Sequence, residues 1–163
     1  MLAKLALATV TTVACTVATR PSPAPVGDQA TSTITAVTGA LAAVGLQTVP
    51  NSPAYRPPEG QLLAGAPRST VQATLPDDPG HGFIVVYALA TPAAAQAAAD
   101  DQAAYIASGI GRVQFAPDAH FVLRVLGPTV VFFWWSPGAS LDTRTSLIEE
   151  ALGSVGSAVE VRA

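Results

Sequence analysis

Charge, lysine and cysteine are all scarce in this sequence. Only 12% of its 163 residues are Asp, Glu, Lys or Arg, about half of the roughly 25% usual in a soluble domain. Lys4 is the single lysine and the formal net charge is −3. The cationic surface that holds a phosphate backbone is therefore missing, and no nucleic-acid partner is expected. With Cys15 as the one cysteine, no disulfide can close within the chain and no paired-cysteine motif exists. His81 and His120 are the only imidazoles. No HExxH, GxSxG or glycine-rich phosphate loop occurs, so neither metal nor cofactor is expected. Apolar residues, by contrast, are half of the chain. That excess excludes general disorder and suffices for one domain with a core of its own.

The apolar excess is uneven. Met1 to Lys4 is a short basic start, followed by the ten apolar or small residues Leu5–Ala14 (LALATVTTVA). This length suits the core of a signal peptide and falls short of the roughly 20 residues a membrane-spanning helix needs. It ends at Val13-Ala14-Cys15. Residues 1–14 are thus expected to be a signal peptide and 15–27 a tether. Thr16 to Gly27 carries Pro21, Pro23 and Pro25 at alternate positions, which favours an extended, semi-rigid spacer. Without Lys4, seven arginines face eleven acidic residues.

The run Thr12-Val13-Ala14-Cys15 resembles the lipobox of bacterial lipoproteins, in which the cysteine receives the lipid. Three positions agree and the first departs, Thr12 standing where leucine is usual. The resemblance implies export and lipidation at Cys15, with acyl chains such as palmitate holding the protein to the membrane. Ordinary cleavage after a small residue such as Ala18, giving a secreted or periplasmic soluble protein, is the alternative.

Residues 28–163 read as a single α+β domain. Asp28 is placed to cap a helix reaching about Val44, with Ile34, Val37, Leu41 and Val44 on one stripe and Gly45 as its left-handed end. A long loop follows, with Pro50, Pro53, Pro57, Pro58 and Pro67 around Tyr55 and Arg56. Ser69–Leu75 alternates apolar and polar, Pro76–Gly82 supplies turn residues, and Phe83–Leu89 is apolar on both faces, as a doubly covered strand is. Thr91-Pro92 opens an alanine-rich helix that ends near Gly109, with Asp100 and Asp101 read as its solvent face. Phe121–Leu126 and Thr129–Trp135 flank Gly127-Pro128 as a second hairpin. A helix from about Leu141 to Leu152, capped by Ser140 or Asp142, and a short strand at Val159 and Val161 complete the chain. The expected architecture is an N-terminal helix followed by ββα-ββα, an antiparallel sheet with helices packed mainly on one face.

This order of elements is similar to that of small bacterial lipoproteins and exported proteins. The residues that carry the likeness are Ala42-Ala43-Val44-Gly45-Leu46, Val85-Val86-Tyr87, the alanine helix, and Leu126–Val131. The likeness implies no particular activity.

Three places invite chemistry. His81 follows Asp77 and Asp78 in a turn, where a metal site and a solvated hairpin compete, and the hairpin is the simpler account. Asp118 and His120 lie two apart before a strand, an arrangement that suits a hydrogen bond at the strand entry better than an orienting pair. Phe132-Phe133-Trp134-Trp135 alternates across a sheet, so the two tryptophans must leave by opposite faces. If helices cover one face only, large apolar groups remain on the other, and such surface marks a partner or ligand site. Trp134, Trp135 and Tyr55 are the candidate binding surface. The expected function is a membrane-tethered, non-enzymatic binding or assembly module of the cell envelope, contacting an envelope protein or apolar ligand. The alternatives are a small envelope enzyme using His81 or His120 and a purely structural exported domain.

Overall fold

The structure, a computed structural model, describes residues 26–50 and 55–162. The expected signal segment, Cys15 and the tether up to Pro25 lie outside the described residues. Helix α1 spans Val26–Ala43, so the last two residues assigned to the tether are helical. Asp28 sits in the first turn rather than at the cap, where its charge favours the positive end of the helix. Val37 and Leu41 are fully buried. Thr31 and Thr35 turn outward and return their hydroxyls to the carbonyls of Gly27 and Thr31. Gly45 ends the helix at φ 80°. There Gly45 N–H donates to Ala42 O and Leu46 N–H to Leu41 O, both at 3.0 Å, the paired closure of a left-handed helix end.

Six strands follow: β1 (Thr48–Pro50), β2 (Arg68–Ala73), β3 (Phe83–Ala88), β4 (His120–Leu126), β5 (Thr129–Trp135) and β6 (Ser157–Ala158). They form one antiparallel sheet in the order β1-β2-β3-β5-β4-β6. Both expected hairpins are present. The second does not simply extend the first, because β5 inserts between β3 and β4, with Val85 opposite Phe132 and Phe132 opposite Leu123. The last strand is Ser157–Ala158 rather than Val159–Val161, and Val159 N–H still donates to Leu123 O. Gly127, at φ 57°, makes the tight return from β4 to β5.

Helices cover both faces of this sheet, which corrects the expectation of packing mainly on one. On one face α1 and α5 (Thr145–Leu152) bury Val71, Ile84, Val86, Val131 and Phe133. On the other, α2 (Gln61–Ala64) and α3 (Pro92–Ala107) bury Val85, Tyr87, Leu123, Val130 and Phe132, with the short α4 (Gly109–Arg112) following α3. The reason lies in β3 and β5, which are apolar at successive positions and so need cover twice. Each fully buried phenylalanine, Phe132 on one side and Phe133 on the other, contributes roughly 1.5–3 kcal/mol of transfer free energy. Helix α3 approaches closely because its inner face is Ala95, Ala98 and Ala99. Thr91 caps it as expected, its Oγ1 accepting from Ala94 N–H at 3.1 Å.

Two charged positions and one helix start depart from expectation. Asp101 is half-buried rather than on the solvent face, and accepts Leu62 N–H at 3.1 Å. Helix α5 begins at Thr145, which leaves Leu141 in the preceding loop and 77% exposed. Asp142 is buried there and accepts the Arg144 guanidinium, Arg144 N–H and Asp77 N–H. These bonds, the guanidinium first, outweigh burial and hold its carboxyl well below the usual range. Among the described residues no helix is long and apolar enough to cross a membrane.

Candidate functional site

The site is assembled where β3 begins and β5 ends. β5 delivers Trp134 and Trp135 in succession, and they leave by opposite faces. Trp134 points to the α3 side, edge-on to Phe115 with ring centres 5.2 Å apart. Trp135 points to the α1/α5 side, where its indole N–H donates to Glu149 Oε2 at 2.8 Å and His120 lies 4.9 Å from its ring. Neither indole is fully buried.

Tyr55 reaches this place on a strap, residues 55–60, that crosses the α3 face. Polar contacts fix the strap. Gly60 N–H donates to Gln102 Oε1 at 2.6 Å, and Gln102 Nε2 donates to Pro58 O at 3.1 Å. The Glu59 carboxylate is buried, its side chain 2% exposed, and accepts both Tyr87 O–H and Arg56 Nε–H at 2.7 Å. Burial first, then the hydrogen bond to Glu59 and that carboxylate's charge, push the Tyr87 hydroxyl far above its ordinary pKa. So held, Tyr55 stacks on Phe83 with centroids 4.4 Å apart and planes inclined by 16°. Its oxygen accepts the Trp134 indole N–H at 3.0 Å. Burial raises the Tyr55 pKa and that bond partly offsets the rise.

The turn between β2 and β3 forms the facing wall. Gln72 Nε2 donates to the carbonyls of Pro79 and His81. Gly82, at φ 80°, leaves no room for a side chain, since a Cβ would lie 2.8 Å from Ala73 O. Asp78 is buried and meets His81 Nδ1 at 2.5 Å, Leu141 N–H at 3.2 Å and Ser140 Oγ at 3.4 Å. Burial alone would raise its pKa; the bonds from His81 and Leu141, aided by the imidazole charge, prevail and lower it. Asp78 therefore ties the β2–β3 turn to the loop before α5. As a carboxylate it accepts the Nδ1 proton, so that Nε2 is an acceptor whenever the imidazole is neutral.

Between these walls lies a cavity of about 170 Å³. Tyr55, His81, Phe83, Trp134 and Trp135 line it together with Ser136, Ser140 and Thr145. The three sequence candidates thus meet at one cleft. It opens at the end of the sheet and not on a bare face, because both faces are covered. Phe83, Ser140 and the carboxylate of Asp78 were not anticipated as its neighbours. The one available signal was the Asp78–His81 spacing of three residues across a turn. His120 lies apart, in a shallow groove with Phe121, Val159 and Val161, its Nδ1 3.3 Å from Glu149 Oε2. Asp118 pairs with the far side of the cleft wall instead of with His120. It accepts Ser136 Oγ at 2.5 Å and Gly138 N–H at 2.6 Å, and these bonds lower its pKa. Among the described residues no group of three or more His, Cys, Asp or Glu side chains is arranged to hold a metal ion.

No family model matches the chain, and neither a curated protein nor a solved structure does.

Proposed function

We propose that this chain is a lipoprotein of the cell envelope, exported and held to the membrane through Cys15. Its domain is a non-enzymatic binding module that receives an envelope partner or small apolar ligand at the end of the sheet. One observation carries the binding reading: Tyr55, Phe83, Trp134 and Trp135 line a single cavity at the end of a sheet whose two faces are packed by helices. Concave, mostly aromatic sites with a few fixed polar groups are the usual form of ligand pockets. The nearby hydroxyls support binding over catalysis. Ser136 spends its proton on Asp118, and Ser140 and Thr145 bond to each other at 2.6 Å, whereas a nucleophile is expected on its base. The lipobox-like Thr12–Cys15 supports the anchor.

Palmitate labelling of the wild type and of Cys15→Ala tests the anchor. Label lost in the variant, with a shift from membrane to soluble fraction, is expected; equal labelling, or none in either, overturns it. Acrylamide quenching tests the cleft. Tryptophan emission that is fully blue-shifted and unquenched removes the basis for binding there.

The close Asp78–His81 pair favours a second reading, an envelope enzyme in which His81 acts as a base. Hydrolysis of nitrophenyl esters that disappears in a folded His81→Ala variant is its test.

A further inference from the structure

The cleft is specific enough to define the chemistry of its occupant, an inference that rests on the binding-module reading above. Its lining contains no lysine or arginine, so an anion finds no counter-charge there. A cation fares no better. The Asp78 carboxylate is already occupied by His81 and the Leu141 N–H, and one face of Phe83 is taken by the Tyr55 ring. An alkyl chain fits the aromatic walls but leaves polar groups unpaired, a cost of about 1–3 kcal/mol for each one desolvated.

Two of those polar groups have capacity to spare. The Tyr55 oxygen accepts from Trp134, while its own proton has no acceptor among the described residues. Nδ1 of His81 is turned to Asp78, and its Nε2 has no partner among the described residues. One is a donor and the other, in neutral imidazole, an acceptor. Both border the same cavity of about 170 Å³. That space is comparable to a cavity of about 150 Å³ that admits a benzene-sized ring.

We propose that the cleft binds a single uncharged ring bearing hydroxyl groups on its edge, stacked among the aromatic walls and hydrogen-bonded to Tyr55 Oη and His81 Nε2. A terminal pyranose unit and a simple phenol both have this chemistry: a flat apolar surface and a hydroxylated rim.

The experiment is a titration of the purified full chain, followed by tryptophan fluorescence and by NMR. The probes are methyl β-glucoside and methyl β-N-acetylglucosaminide in one arm, phenol and resorcinol in a second, and benzoate, tetramethylammonium and hexanol in a third. Saturable binding in the first or second arm is expected, and the arm that responds identifies the source of the ring. Tyr55→Phe keeps the stack and removes the donor; His81→Gln keeps a polar side chain and removes the imidazole. Each is expected to weaken binding about three- to ten-fold, the worth of one hydrogen bond. Leu62→Ala, on the exposed side of α2, is expected to change nothing. Binding confined to the third arm overturns the hydroxylated-ring proposal and leaves the binding module standing. Binding that both cleft variants leave unaltered overturns the placement. No binding in any arm overturns the proposal, and if acrylamide also fails to reach the tryptophans, the binding-module reading falls with it.

Discussion

Tyr55 and Trp134, 79 residues apart in the chain, share a hydrogen bond of 3.0 Å from the indole N–H to the phenol oxygen. It joins the strap to the end of the central strand and sets one wall of the cleft. Tyr55→Phe retains the stack on Phe83 and deletes this bond alone. A loss of about 1 kcal/mol in unfolding free energy is expected, together with a change in Trp134 emission. Urea denaturation followed by fluorescence reads both.

The strap depends on Glu59. Replacing it by alanine leaves the buried Tyr87 hydroxyl without its acceptor, a cost of about 1–3 kcal/mol. Tyr87→Phe in the same background removes the stranded group. The double variant is expected to lose less than the two single variants together, and a double-mutant cycle measures the difference.

Glycine is required to different degrees at two turns. Gly45 and Gly82 both have φ near 80°, but only Gly82 faces a backbone oxygen at 2.8 Å from the position of a Cβ. Gly45→Ala is expected to cost about 1–2 kcal/mol, the penalty of left-handed backbone alone. Gly82→Ala adds a steric clash, so it is expected to cost more and to loosen the Asp78–His81 turn. Thermal denaturation of the two variants, side by side, tests the order.

Acid is expected to weaken the fold. Asp78, Asp118 and Asp142 all have carboxyls held below their ordinary value. A depressed folded-state pKa stabilises above the unfolded value, near about 3.9. That contribution is lost as pH falls through the unfolded value toward the folded ones. Melting temperature should therefore drop on going from pH 6 to pH 3, and drop less steeply in Asp142→Asn, which has no carboxyl to protonate there.

The local elements were written plainly in the chain. Gly45, Thr91-Pro92 and Gly127-Pro128 mark helix and strand ends through backbone requirements that act within a few residues. The arrangement of helices was not legible in the same way. Phe83–Leu89 already carried the sign of a strand covered twice. The second face did not follow from it, because the position of β5 between β3 and β4 depends on pairing over some 47 residues, Val85 with Phe132. No local pattern encodes that choice. The site divides along the same line. Tyr55, Trp134 and Trp135 stand out by residue type, whereas the bond from Leu141 N–H to Asp78 spans 63 residues and has no trace in composition. Buried charges were missed for a like reason. Glu59 and Asp142 are tolerable inside only because Tyr87, Arg56 and Arg144 meet them there.

The insertion of β5 has a consequence for the order in which the protein is made. During synthesis, β2 and β3 emerge and can pair long before β5 exists. Until residue 135 is available, β3 is an edge strand with apolar side chains on both sides, and Val85, Val86 and Tyr87 lack their partners Phe132, Val131 and Val130. An unpaired apolar edge recruits other chains, and domains with late long-range pairing stay exposed in this way for longest. The middle of the sheet closes only once β5 has been made, with just α5 and the short β6 still to come, so a nascent chain stalled before Thr129 is expected to be the form most in need of a chaperone.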